Sequence, residues 1–546
     1  MNGSHSPKDP PRPAVGAAEG VQVRGPEMGA ARRLLTPEAL EFIAALARRF
    51  EPRRSELLAQ RPEFHARIAA GERPDFSAET QRIRESSWTV APPPPELVDR
   101  RVEITGPTDR RMVLHALNSG ARVYMADFED AHSPTWAATL AGQENLADAV
   151  RGTISHVGAD GNRLELVDRP AVLMVRPRGW HLSEEHLEVD GAPISASLFD
   201  AGLFLVQNAR ELVARGHGPY LYLPKLEHRT EAALWNSVFR DAEERLGLAT
   251  GTIRATVLIE TLPAVFEAEE ILYELREHSA GLNSGRWDFI FSFIKQFRDD
   301  PSVLFPDRVQ LRMETPFLSA YAAHLVRICH RRGAHAIGGM AAEVPIKNDP
   351  AANERALAAV VADKEREVAL GYDGTWVAHP ALVPVAQRAF DAQMPGPNQI
   401  ARQPRPPAVR AAELLRVPSG TVTYGGVRTN ARAAVRYLES WLRGVGCVPI
   451  DHRMEDAATV EIARAQLWQW IRRAAPLAAG GSVRREEVER VIDDEARVLA
   501  SEAGGASRTL APAVALLKEL IDPTAFQEYF TTRAYILLNA GDGGPS

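Results

Sequence analysis

The chain has 546 residues and a net charge of −7, with 45% hydrophobic and 25% charged residues. That length allows two or three domains around a large core, and without any basic block nucleic acid is not an expected partner. No apolar stretch approaches the roughly 20 residues of a membrane span, so no membrane is expected either. The 2 cysteines, Cys329 and Cys447, are too few for a disulfide framework or a thiolate zinc site.

Both thiols are expected to be reduced and buried, as in a cytoplasmic protein. The N-terminus shows no apolar secretory core, and the chain ends in GGPS rather than an SKL-like signal. Residues 1–30 are rich in Pro, Gly and Ala without hydrophobic period, which predicts a disordered tail. Thr36 and Pro37 then read as the N-cap and first position of a helix whose stripe is Leu40, Ile43, Leu46 and Ala47. A second short helix is predicted over residues 55–70. Residues 31–101 thus form an N-terminal helical clasp that ends in the stiff run Pro92 to Pro95.

From Val102 the pattern changes. Thr108 is predicted to cap a helix carrying Met112, Leu114 and Leu117, which Gly120 ends. Strands are predicted at residues 121–130, 173–179, 220–227, 256–261, the start of 287–295, 309–313, 334–341 and 374–378. Helices are predicted between them, at 203–215, 230–246, 262–278 and 317–332. Eight strands within residues 102–390 predict an α/β fold, a (β/α)8 TIM barrel. A doubly wound open sheet is the alternative, but no GxGxxG or P-loop accompanies it. Residues 391–420 read as a Pro-rich linker with one short helix. Residues 421–546 read as a C-terminal helical plug domain of about five helices, with N-caps expected at Thr429, Ser482 and Thr509.

Five of the predicted strands carry charge at or near an end: Asp127, Glu129, Asp130, Arg176, Lys225, Glu260 and Asp288. In a βα barrel such ends share one cavity, and this mixture suits a small anionic substrate held through a divalent metal. On a strand Asp127 and Glu129 point the same way, and Asp130 does not. Arg176 is aimed into the cavity by the run before it, whereas Arg178 can simply pair with carboxylates. Lys225 leaves a Schiff-base chemistry open. Asp456, taken alone, is the N-cap of the amphipathic helix that follows it.

The segments VEITGPTDRRMVLHALNSGARVYMADFEDAHSPTW, VRPRGWHL, GLNSGRWDFIFSFIK, AHAIGGMAA, DGTWVAHPALVPVA and GCVPIDHRMEDAAT together resemble malate synthase of the shorter A type, in the right order over residues 30–540. The resemblance implies a barrel with an N-terminal clasp and a C-terminal plug. It implies condensation of acetyl-CoA with glyoxylate, followed by thioester hydrolysis to malate and CoA, with Mg²⁺. It assigns Glu260 and Asp288 to the metal, and Arg176 to stabilising the enolate and alkoxide oxygens. Gly285, Arg286, Trp287 and Asp288 are assigned to the glyoxylate carboxylate through backbone N–H groups, and Asp456 to proton abstraction. Asp127 and Glu129 are expected behind the metal, orienting its water or Arg176. Cys447 is expected either beside the CoA channel or as a buried structural thiol. Glu343 and His132 depart from the family's usual residues. A malyl-CoA or citramalyl-CoA lyase would share the metal carboxylates and the arginine, and a catalytically silent scaffold is the reading from another class.

Overall fold

Eight parallel strands close into a barrel in their order along the chain. They are β1 (Val102–Pro107), β2 (Val123–Asp127), β3 (Val172–Arg176), β4 (Tyr220–Leu223), β5 (Arg254–Ile259), β6 (Ser279–Ser284), β7 (Ala336–Ala341) and β8 (Gly374–Val377). The structure, a computed structural model, describes residues 18–505 and 507–541. Among these no helix is long and apolar enough to cross a membrane.

Two of the eight expected strands are something else. The run after Trp287 is the helix α2, Arg286–Gln296, and residues 308–310 form a single 3₁₀ turn. Every residue from Asp288 to Gln296 is buried, and an apolar run buried all round carries no period that separates strand from helix. The strands that take their places, β1 and β6, were hidden by their composition. The first contains a glutamate and the second reads SAGLNS. The buried Glu103 of β1 is matched by Arg100, with Nε to Oε1 at 2.6 Å. The Tyr222 hydroxyl and the Trp376 indole also donate to Glu103. A buried ion pair of this kind is tolerable because its remaining acceptor sites are filled. Around it Val123, Met125, Met174, Leu258 and Ile337 fill the barrel interior, leaving the carboxyl ends of the strands for the site.

The clasp helix α1 is one element, Pro37–Ala69, rather than two. The Thr36 hydroxyl caps it by accepting from Ala39 N–H, and Pro52 and Pro62 lie inside without ending it. Its apolar stripe packs on the barrel helices Ala196–Ala214 and Arg229–Leu246. The expected tail is ordered where it is described. Val21–Val23 adds antiparallel to Ser183–Val189, and Val21 and Val23 pack with Leu187 and Val189; residues 1–17 of that expectation lie outside the described residues. Asp109, not Thr108, caps the helix Arg110–Leu117.

Beyond the linker, which holds the helix Ala411–Leu414, come α3 (Tyr424–Leu442), α4 (Ala457–Arg472), α5 (Arg485–Glu502), α6 (Leu510–Leu520) and α7 (Phe530–Gly541). Thr423, well before the expected Thr429, caps α3, and Arg484 rather than Ser482 precedes α5. Thr509 does stand at the N-cap of α6, but its hydroxyl bonds Glu439 instead of the helix. This domain seats on the barrel mouth through polar anchors. Gln466 and Gln469 donate to Pro306 O and Val303 O, and the Trp470 indole donates to Phe305 O.

Candidate active site

Strand register places the first pair of charges. Asp127 on β2 stands directly opposite Arg176 on β3, so both side chains rise from the same level of the barrel rim. Asp127 accepts from Arg176 Nε at 2.6 Å and from its Nη2. Its two oxygens also accept from Glu129 N–H at 2.8 Å and Ala131 N–H at 2.7 Å. These bonds curl residues 128–131 into a turn over the end of the strand. Arg176 reaches on to Asp130 at 3.2 Å and lies 5.7 Å above the Trp376 ring.

The turn changes the expected roles. The period-two argument holds only while the chain is extended, and β2 stops at Asp127. Asp130 therefore swings inward and joins Glu260 and Asp288. Each of the three offers an oxygen within 4.8 Å of the others, and all three are buried. Asp127, fully engaged by Arg176 and the turn, is no part of that group.

Lys225 lies beneath the cup. Its ammonium is 3.1 Å from Asp130, 3.1 Å from Asp288, 3.2 Å from Glu129 and 3.7 Å from Glu260, and it is not among the cavity-lining residues. Its pKa stays well above the usual lysine value, since the surrounding carboxylates outweigh its burial. An amine whose charged form is favoured by four neighbouring carboxylates is a poor Schiff-base nucleophile, so that reading is set aside. Burial pushes the Glu129 and Glu260 carboxyls well above their ordinary range, with Asp130 adding to the first and Asp288 to the second. Burial raises Asp288 as well. Against its burial, Lys225 and Arg176 hold Asp130 below the ordinary value.

Among the described residues, the counter-charges facing Asp127, Glu129, Asp130, Glu260, Asp288 and Asp456 are Arg176 and Lys225. Such an excess of buried carboxylate fits a divalent cation, which takes hard oxygen ligands. Asp288 Oδ1 is buried and makes no directional hydrogen bond; its close cationic partner is the Lys225 ammonium at 3.1 Å, so it keeps capacity for a cation.

The Gly285–Asp288 segment is the N-terminus of α2. Ile259 pairs with Ser284, so the next residues, Glu260 and Gly285, meet at the rim. A β-carbon on Gly285 would lie 2.9 Å from that of Glu260, and only glycine allows this approach. No side chain caps the helix. The first-turn N–H groups of Arg286, Trp287 and Asp288 therefore stand open beside the cup, an arrangement that binds carboxylates.

Asp456 comes down from above. It is the N-cap of α4, accepting from Ala458 N–H at 3.2 Å, while Ala457 N–H donates to Asp130 O at 3.1 Å. The Tyr437 hydroxyl donates to the same carbonyl at 2.9 Å. Burial, reinforced by Asp130 and opposed by Arg176, pushes the Asp456 carboxyl well above its ordinary range. The helix terminus, which would favour the anion, is thus outweighed. Asp130, Arg176, Glu260, Asp288 and Asp456 all line one cavity of about 810 Å³. Its outer part carries Arg286, Arg308, Arg312, Arg366 and Arg453. Of these the sequence reading names only Arg286, and there for its backbone N–H. Arg308 with Arg312, Arg366 and Arg453 come from separate segments, so no local pattern marks them as a group.

The remaining expectations resolve simply. Arg178 is taken up by Asp200, at 2.7 and 2.9 Å, and by Glu184 at 2.8 Å. Cys447 does not line the cavity; its thiol is pushed up by burial. Glu343 pairs with Arg453 at 2.9 Å and bridges the barrel to the hairpin before Asp456. His132 is buried and kept neutral, its pKa lowered to about 3 by burial and by Arg178. Its carbonyl receives the Trp441 indole of α3 at 3.1 Å.

Three family profiles match this chain in order: malate synthase N-terminal domain at residues 19–82, TIM barrel domain at 172–417 and C-terminal domain at 421–538. The malate synthase of Myxococcus xanthus is 54% identical over 97% of this chain and 98% of its own length. The glyoxysomal malate synthase of Candida tropicalis is 50% identical over 87% of this chain and 88% of its own. A solved structure of Haloferax volcanii malate synthase, a ternary complex with pyruvate and acetyl-CoA, is 17% identical with a TM-score of 0.46, covering 80% of this chain and 99% of that one. By the extent of these sequence matches, the chain belongs to the malate synthase family.

Proposed function

We propose that this cavity condenses acetyl-CoA with glyoxylate and hydrolyses the resulting thioester to malate and CoA. The observation that carries this reading is the meeting of four parts around one space: a three-carboxylate cup, an arginine, an open helix N-terminus and a carboxyl of raised pKa.

Asp130, Glu260 and Asp288 would hold Mg²⁺, which supplies Lewis-acid polarisation of an aldehyde. The N–H groups of Arg286, Trp287 and Asp288 receive the glyoxylate carboxylate, which fixes the aldehyde over the cup. Asp456 removes a methyl proton from the acetyl group. Its raised pKa suits it to that task, since a base acts best with a pKa near working pH. The electron pair left on the methyl carbon forms the new bond to the aldehyde carbon as the C=O π pair moves onto the aldehyde oxygen, which takes up a proton. Water then adds to the thioester carbonyl, and the CoA thiolate leaves, taking a proton.

Arg176 has three N–H groups engaged by Asp127 and Asp130 and lines the cavity, so its remaining donors are available to stabilise the developing oxygen charges. Asp127 keeps that guanidinium oriented, and Glu129 balances Lys225. The outer arginines suit the phosphates of CoA. The plug's contacts with the 128–131 turn place the base, so α4 must be seated for turnover. The two free thiols support a cytoplasmic location, which cell fractionation reads.

The deciding experiment is thiol release from acetyl-CoA with Mg²⁺, with and without glyoxylate. Release only with glyoxylate supports the proposal. Accumulation of malyl-CoA without hydrolysis would favour a lyase instead, and no thiol in either condition would leave a silent scaffold.

A further inference from the structure

We propose that Arg61, on the clasp helix α1, is a positioning residue for the carboxylate cup and acts through the backbone of Lys225. The inference rests on the assignment of the cup to a divalent cation. Lys225 has φ of +55°, a left-handed conformation that is unfavourable for a residue with a β-carbon. Two hydrogen bonds hold it there. Its N–H donates to Glu260 Oε1 at 2.8 Å, and its carbonyl accepts from Arg61 Nη2 at 2.9 Å. In that conformation the side chain rises under Asp130 and Asp288. One residue on, the Leu226 carbonyl is tied to the Thr261 hydroxyl at 2.6 Å, beside Glu260.

Arg61 is itself locked. Its Nε and Nη2 fork onto the two oxygens of Glu231 at 2.8 and 2.9 Å, and Glu231 also accepts from Glu227 N–H at 3.0 Å. The Arg61 and Glu231 side chains are only 9% and 2% exposed. Arg61 lies outside the cavity lining, so it touches no substrate. Its reach from the clasp to the Lys225 carbonyl instead fixes where Lys225 N–H meets Glu260.

A double-mutant cycle read by Mn²⁺ titration, monitored by EPR, separates this role from mere docking of the clasp. Wild-type protein should bind Mn²⁺ at a site lost in Glu260→Gln. Arg61→Met should weaken that binding about tenfold, in the range found for residues that orient ligands. In a Lys225→Gly background the same change should cost less than about twofold, because glycine adopts the left-handed conformation unaided. At saturating Mg²⁺ the kcat of Arg61→Met should recover while KM for acetyl-CoA stays at its wild-type value. Should Arg61→Met fail to fold, Arg61→Met/Glu231→Gln leaves no unpaired carboxylate at 231, and the cycle is run on that pair. Equal weakening in both backgrounds, or none in either, would overturn the inference. Absence of Mn²⁺ binding in the wild type would instead bring down the cup assignment, and this inference with it.

Discussion

Asp456→Asn separates the roles of N-cap and base at a single position. Asparagine keeps an oxygen that can accept from Ala458 N–H, now at 3.2 Å, and caps a helix as well as aspartate. Stability should therefore change by less than about 0.5 kcal/mol. The substitution also removes a negative charge that faces Asp130 and Asp288, so divalent-cation affinity should hold or rise slightly. What is lost is proton abstraction. General-base catalysis contributes about 10²- to 10⁴-fold, or about 3 to 5 kcal/mol of transition-state stabilisation. The assay is exchange of the acetyl methyl protons of acetyl-CoA in D₂O, followed by NMR alongside CoA release. Both rates should fall together by that factor while the Mn²⁺ titration and the unfolding curve stay in place. Exchange persisting at the wild-type rate would refute the reasoning and move the base elsewhere.

Asp130→Asn should weaken Mn²⁺ binding by well over ~10-fold, removing a direct ligand as Glu260→Gln should, whereas Asp127→Asn should chiefly destabilise the fold and misorient Arg176 by breaking a buried pair; equal metal affinities in wild type and Asp130→Asn would return Asp130 to the periphery. Arg176→Lys should lower kcat about 10²- to 10³-fold with metal affinity retained, because a lysine cannot hold the fork to Asp127 and still face the cavity. Since Glu129, Glu260 and Asp456 hold protons above their ordinary range, metal binding should release protons and tighten as pH rises, which calorimetry in buffers of different ionisation enthalpy reads directly. Glu367, buried under Lys364 at 3.2 Å, has its pKa raised from 4.5 to about 7 by burial. Its protonated form is favoured by the fold, so its contribution is full below pH 4.5 and lost as pH rises to about 7. Relative to Glu367→Gln, the wild type should lose about 3 kcal/mol across that window; parallel denaturation profiles would exclude this.

Much of this site was legible from the chain, for a reason that also marks where legibility stops. Charges at the ends of buried runs stood out because carboxylates and guanidiniums are seldom placed there without partners. Glu260, Arg176 and Asp127 were visible in that way. Asp130 was misread because a rule for extended chain was carried one turn beyond the strand, whose last residue, Asp127, itself bends the backbone. The total of eight strands was right although β1 and β6 went unseen and two others were misplaced. Glu103 is a strand residue whose charge is answered by Arg100 at the barrel bottom, and such pairing leaves no local trace. Trp287 illustrates the converse. Its assignment to a strand was wrong, yet the helix that stands there presents the open N–H groups proposed to receive the glyoxylate carboxylate. Contacts between distant segments, such as Arg61 with Lys225 or Ala457 with Asp130, have no signature in either segment alone.

The central claim is that one cavity joins the acetyl methyl carbon to the aldehyde carbon and then releases CoA. NMR of the products from acetyl-CoA carrying ¹³C at the methyl group, with glyoxylate and Mg²⁺, tests it most directly. The account predicts that the label appears in the methylene of free malate, in step with thiol release. Label remaining in acetyl-CoA, or collecting in malyl-CoA, would contradict it.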